Sequence, residues 1–369
     1  MKWFYTELHR QHDAEVEVWA GVPAPSTEVG ARAEAIASTL SGDPFFVAAR
    51  TKEHGIDPIE RVHNPAMVRW LEGAWNECRP FSKRREVIPD TIRHAGMVAG
   101  LVQGVEPIGS PFGRLGYWCF DTMTPIVEGT YSAARGAVDV ALSALDAVMD
   151  GEGSSYALCR PPGHHAATSV MGGFCYFNNA AIVASQMAEK TGAPVAILDV
   201  DYHHGNGTQQ VFYERGDVVY VSLHADPDRE FPYFSGRADE KGQGSGRGAN
   251  RNFPLASGVG DAEYLQTLER ALDFISESGA RSLVVSLGLD TYELDPLGDL
   301  KLTKDAYWQM GHMVGKLALP TVIVQEGGYY IPDLGANVSS WLKGFARSDE
   351  GEAGSSAVAS SDAAESADA

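Results

Sequence analysis

Asp199, Asp201 and His203 stand two residues apart along the chain. In an extended segment such positions share one face, so a carboxylate and an imidazole from this run could grip a single divalent ion. A hydrogen-bonded turn would read the same way from these three residues alone. Asp290, at the end of a separate apolar run, offers a third ligand. With paired histidines elsewhere in the chain, metal binding becomes the better reading. Three protein ligands leave a position open for water, which is the arrangement of a catalytic zinc site and not of a structural one.

His164 and His165 follow the rigid turn Pro161-Pro162-Gly163. Activating a water at a metal needs a base to take its proton and an acid to protonate the leaving amine. Adjacent histidines can do this if their partners differ. A carboxylate behind one raises its pKa, whereas an amide behind the other does not. Asp199 and Asn206 are available for the two posts; two surface histidines in a turn are the plain alternative. Tyr329 follows Gly327-Gly328, where its hydroxyl could donate to a developing oxyanion. Tyr330 next to it shows that an aromatic can also sit here merely to pack.

These groups need a frame. Short apolar runs at 155–159, 194–200, 218–223, 282–287 and 321–325 predict buried strands, and 131–150, 178–190, 261–277 and 304–317 predict helices. That alternation implies an α/β fold with a mainly parallel central sheet and helices on both faces. Ligands bind such sheets beyond the carboxyl ends of the strands. The five strand candidates are followed by Arg160–His165, Asp199–Gly207, Ser222–His224, Gly288–Asp290 and Gln325–Tyr329, so His, Asp and Tyr side chains collect on one rim. Residues 76–130 read as irregular and rich in Gly and Pro, as a functional or interface loop would be. The Gly-rich stretch 236–249 lacks the pattern of a phosphate cradle. Residues 348–369 carry six acidic residues, no basic one and no aromatic, and are expected to form a disordered tail.

The 369-residue chain has 29 Lys and Arg against 49 Asp and Glu, a formal net charge of −20. That field repels nucleic acid. No apolar run is long enough to span a membrane, and the opening residues do not resemble a signal peptide. Cys78, Cys119, Cys159 and Cys175 form no Cys-x-x-Cys pair and read as reduced thiols. A cytoplasmic protein is expected.

Taken together, Arg160-Pro161-Pro162-Gly163-His164-His165, Gly173–Asn179, Asp199–Thr208, Ser222–His224, Gly288–Asp290 and Glu326–Tyr329 resemble the histone deacetylase superfamily, in particular its bacterial acetylpolyamine amidohydrolase-like branch. Weaker signatures are Arg32-Ala33-Glu34 and Val62-His63, and the likeness runs from the N-terminus to about residue 347. The resemblance implies a single arginase–deacetylase domain over 1–347. It implies zinc on Asp201, His203 and Asp290. It places Asp199 behind His164 and at a structural potassium site with Ser222, Leu223 and backbone oxygens of Asp201 and His203. It makes His165, backed by Asn206, the general base and acid, His164 the electrostatic helper and Tyr329 the group that polarises the carbonyl. Gly173, Phe174 and Phe231 would form the acyl channel. The 76–130 insertion would narrow the channel and build a homodimer.

One place departs from the polyamine-cleaving members. Aligned on Gly113-x-x-Gly116-Tyr117, Phe112 and Met123 stand where those members carry acidic residues, with Asp121 nearby. An apolar rim suits a neutral or aromatic amide better than an ammonium chain. The expected function is a zinc amidohydrolase of small acylated amines or N-substituted amides, xenobiotic amides included. Acetylpolyamine or acetyl-lysine deacetylation by the same mechanism is the alternative. A non-catalytic metal-dependent binding protein and a binuclear ureohydrolase are the rivals from other classes. The latter would need further carboxylate ligands in place of His164 and His165.

Overall fold

The computed structural model describes residues 1–99, 106–107 and 109–347. The expected tail at 348–369 lies outside them. In chain order the strands are β1 (Lys2–Phe4), β2 (Val16–Trp19), β3 (Val22–Pro25), β4 (Val47–Ala49), β5 (Ser154–Ala157), β6 (Val195–Asp199), β7 (Val218–Ala225), β8 (Asn250–Leu255), β9 (Ser282–Leu287) and β10 (Thr321–Gln325). The α-helices are α1 (Gly30–Ser41), α2 (Asp57–Glu60), α3 (Pro65–Cys78), α4 (Pro111–Trp118), α5 (Thr130–Met149), α6 (Asn179–Thr191), α7 (Asn206–Phe212), α8 (Asp261–Glu277), α9 (Lys304–Gly315) and α10 (Ile331–Ala346).

Eight strands form one sheet in the order β4-β1-β5-β10-β9-β6-β7-β8, and every pairing in it is parallel. Strands β6, β7, β9 and β10 are buried at every residue. They need continuous apolar sequence because helices cover both faces. One face packs on α3, α5 and α6 through residues such as Leu71, Leu142, Leu145 and Ile182. The other packs on α1, α8, α9 and α10 through Ile36, Leu268, Met310 and Trp341. Two cores on one sheet make a single domain.

Strands β9 and β10 and helix α8 fall where the apolar runs predict them. β8 was not legible as a strand: Asn250-Arg251-Asn252-Phe253-Pro254-Leu255 contains a proline, which an edge strand tolerates because one side of its ladder is unpaired. The 76–130 segment is less irregular than expected, since α4 lies within it. Ser110 caps that helix, its side chain accepting the Gly113 N–H, and Pro111 supplies the fixed φ of a first helical residue. The glycines at 113 and 116 hide this helix in the sequence. β2 and β3 form a separate hairpin, tied to residue 122 by Val18 N–H donating to the Thr122 carbonyl at 3.2 Å and the Thr122 hydroxyl donating to Val18 O at 3.0 Å.

Candidate active site

The parallel register brings the strand ends to one edge. Asp199 at the end of β6 lies opposite Ser222 of β7 and Ser286 of β9. Asp201 and His203 follow β6, Asp290 follows β9, Tyr329 follows β10, and His164 and His165 follow β5.

Asp201, His203 and Asp290 each point one ligand atom into a common space, with those atoms within 4.8 Å of one another. His203 Nδ1 is 3.0 Å from Asp290 Oδ2 and 3.4 Å from Asp201 Oδ1. Backbone donors fix the carboxylates. Gly327 N–H donates to Asp201 Oδ2 at 2.8 Å, and Tyr202 N–H to Asp290 Oδ1 at 2.8 Å. Gly327 must be a glycine: a Cβ there would stand 2.5 Å from Asp290 Oδ2 and 2.6 Å from Asp201 Oδ2. Burial, and then the neighbouring Asp201 carboxylate, push Asp290 up to about 7. Burial opposes charge on His203, but Asp201 and Asp290 hold it up at about 9. Two buried carboxylates this close repel one another, and a bound cation would relieve that repulsion. The donor set, two oxygens and an imidazole nitrogen, fits a dication such as zinc.

The two histidines differ as their partners do. His164 Nδ1 lies 3.1 Å from Asp199 Oδ2, which also accepts the Tyr220 hydroxyl at 3.0 Å. Burial works against its charge, but Asp201 and Asp199 outweigh burial and raise it to about 10. His165 Nδ1 lies 2.7 Å from Asn206 Oδ1. Burial, then the charge on His164 and on His203, lower its pKa well below that of a free histidine. A neutral imidazole whose Nδ1–H donates to an amide oxygen keeps Nε2 free to accept a proton. Similar side chains with oppositely shifted pKa values are the signature of divided acid–base roles. Their turn is held from below by Glu326, whose Oε2 accepts Gly163 N–H at 2.7 Å and His164 N–H at 3.2 Å.

A narrow cleft leads to these groups, lined by Trp19, Met123, His165, Gly173, Phe174, His203, Phe231, Leu297 and Tyr329. The Phe174 ring lies 5.8 Å from Tyr329, and the Phe231 ring 5.0 Å from His165. A wider open groove past Phe120 and Phe234 contains neither a histidine nor a metal ligand, so the narrow cleft is the one that serves the chemistry.

Phe112 does not line the cleft. It sits on α4 and packs against the core cluster around Leu115 and Trp118, because α4 turns it inward where a loop had been expected. Asp121 is not a free cation site either. It accepts Gly173 N–H, Met123 N–H at 3.0 Å and the Thr124 hydroxyl at 2.9 Å, and so braces the cleft wall.

Several residues of the site gave little sequence signal. Arg32, named only within a weak signature, donates from Nε to Gly328 O at 2.6 Å and from Nη2 to Glu326 O at 2.7 Å. Its guanidinium stands 4.5 Å from the Tyr329 ring centroid. A charge on the buried stripe Arg32, Ala33, Ile36, Leu40 of α1 could have marked it. Trp19 sits at the turn of the hairpin, and Leu297 in an irregular loop, where no periodicity points inward.

Residues 26–345 match the histone deacetylase domain family. The chain belongs to that family. It is 41% identical to acetylpolyamine amidohydrolase 2 of Pseudomonas aeruginosa, covering 92% of this chain and 97% of the relative. It is 37% identical to the acetylpolyamine amidohydrolase of Mycoplana ramosa, covering 94% of this chain and all of the relative. The crystal structure of an acetylpolyamine aminohydrolase from Burkholderia pseudomallei superimposes with a TM-score of 0.88 at 36% identity, over 94% of this chain and 99% of that one. The fold is thus that of the histone deacetylases, and the chain is an enzyme of their hydrolytic, amide-cleaving kind. That removes the non-catalytic binding protein from consideration. Among the described residues no helix is long and apolar enough to cross a membrane.

Proposed function

We propose that this chain hydrolyses the amide bond of a small acylated amine, with one zinc ion per chain held by Asp201, His203 and Asp290. The observation that carries the reading is a three-ligand centre at the base of a cleft beside two histidines with different partners, His164 on Asp199 and His165 on Asn206. Zinc bound there supplies a polarised carbonyl and a water of lowered pKa. His165 Nε2 takes the proton of the attacking water and returns it to the leaving amine. His164, hydrogen-bonded to the Asp199 carboxylate, adds positive potential beside the reacting groups. The Tyr329 hydroxyl donates to the carbonyl oxygen as charge builds on it. Gly173, Phe174 and Phe231 exclude bulk water and hold the acyl group.

For the amine portion, a neutral or aromatic substituent suits the walls best. Trp19, Met123, Phe231 and Leu297 are apolar. Three nearby carboxylates are bonded within the protein: Asp121 as above, Asp295 to three backbone N–H groups, and Glu17 to Thr27 N–H and hydroxyl. The names of the relatives favour the second reading, acetylated polyamines. Comparing kcat/KM for an aryl or N-alkyl acetamide, an acetyl-lysine peptide and acetylputrescine separates these readings. A strong preference for acetylputrescine that falls steeply with salt would overturn the first.

Three further assignments belong to this reading. Potassium would sit at Asp199, Ser222 and Leu223 with the backbone oxygens of Asp201 and His203, where β6 and β7 pair Asp199 with Ser222. A homodimer through 76–130 is supported by Phe81 and Met97, apolar side chains that the segment leaves largely exposed. A reducing, cytoplasmic setting is supported by four buried, unpaired cysteines.

A further inference from the structure

Asp295 takes no part in the chemistry described above, yet it is buried beside it. It lies in the loop between β9 and α9. Its Oδ2 accepts the backbone N–H of Tyr329 at 2.6 Å and of Tyr330 at 3.1 Å. Its Oδ1 accepts the N–H of Leu297 at 3.0 Å. Leu297 and Tyr329 both line the cleft. One carboxylate therefore joins a wall of the substrate site to the segment that carries the tyrosine.

That segment needs holding. Gly328 has φ +114°, a conformation nearly reserved for glycine, and the Gly327-Gly328 pair leaves the backbone before Tyr329 intrinsically free to rotate. Arg32 restrains its carbonyl side, at Glu326 O and Gly328 O. Asp295 restrains its N–H side. Three backbone N–H groups converge on this one carboxyl group. α10 begins at Ile331, directly after these two residues.

We propose that Asp295 is a positioning residue for the reaction. Its carboxylate fixes the N–H groups of Tyr329, Tyr330 and Leu297, sets the Tyr329 hydroxyl against the substrate carbonyl, and ties that setting to the cleft wall. The inference rests on Tyr329 acting as donor to the carbonyl oxygen. A misplacement of about 1 Å at such a group costs on the order of 10²-fold in rate.

A double-mutant cycle tests it, with kcat, KM, zinc per chain and the far-UV spectrum measured for each variant. Asp295→Ala lowers kcat by roughly 10- to 100-fold with little change in KM and unchanged zinc content. Asp295→Asn keeps an oxygen acceptor and recovers part of the loss; it also carries the cycle if the Ala variant does not fold. In a Tyr329→Phe background the Asp295 substitution costs no more than about twofold, because residues acting as a unit are non-additive. Wild-type kcat in both Asp295 variants, equal factors lost in the two backgrounds, or loss of zinc would each overturn the inference while leaving the role of Tyr329 intact. If Tyr329→Phe alone keeps full kcat, the proposed role of the tyrosine fails and the positioning role fails with it.

Discussion

The strand-end rim and the cleft mouth are a few residues apart and are built by opposite rules. At the rim, Asp201, His164, Asp199 and Asp290 are almost wholly buried, and each is oriented by a backbone or side-chain partner within 3.1 Å. At the mouth, Trp19, Met123 and Leu297 come from a two-stranded hairpin and irregular loops, and Trp19 is 44% exposed. Only the rim is continuous with the eight-stranded sheet. The difference teaches that the sheet fixes the reaction, while separate loops, free to vary in side chain, choose what enters.

If that division is right, rim substitutions abolish turnover for every substrate and mouth substitutions reorder substrates. The largest effect belongs to Asp290→Ala, which leaves two protein ligands and should remove both zinc and activity. Elemental analysis and turnover, measured together, check it. His165→Ala comes next, with a loss of about 10²–10⁴ in kcat and a smaller loss in His164→Ala; equal small losses would undo the division of roles between the two rings. Tyr329→Phe should cost on the order of 10²–10³ in kcat with zinc retained. A Tyr329→Phe protein that also loses its metal would make the tyrosine structural.

Effects at the mouth should be smaller and selective. Trp19→Ala removes an aromatic contact surface worth about 0.5–1.5 kcal/mol beyond area burial, roughly 2- to 10-fold in kcat/KM for an aryl acetamide. It should change little for acetylputrescine. Met123→Glu adds a carboxylate to the wall, and an exposed ion pair of about 0.2–1 kcal/mol predicts at most about a fivefold gain for the acetylated diamine, reduced by salt. Equal changes for both substrates in either variant would erase the distinction between mouth and rim.

The same contrast explains how well each region could be read. The rim was legible because buried parallel strands demand unbroken apolar runs, so Ser282–Leu287 and Thr321–Gln325 announce where they end and which side chains reach the sheet edge. The metal-ligand and histidine positions came with them. Short strands such as Lys2–Phe4 and Val47–Ala49 carry too few residues to show a pattern. The mouth was poorly legible. Alignment with the polyamine-cleaving members puts Phe112 at the channel rim, on a loop, but it stands on a capped helix that packs it against the core. Trp19 was invisible because its placement depends on a long-range contact, Val18 with Thr122, and Leu297 because it lies in an irregular loop whose sequence has no period to read. Arg32 and Asp295 act on backbone atoms of a distant strand end, which no local pattern encodes.

The central claim is that one metal ion, held at the sheet edge, is required for amide hydrolysis. Titrating zinc into metal-free enzyme while following acetate release from an acetylated amine tests it most directly. Activity should rise from near zero in proportion to added zinc and level off at one equivalent per chain, with Asp290→Ala staying flat over the same range. Full turnover by the metal-free protein, or a plateau that needs two ions per chain, would contradict the account.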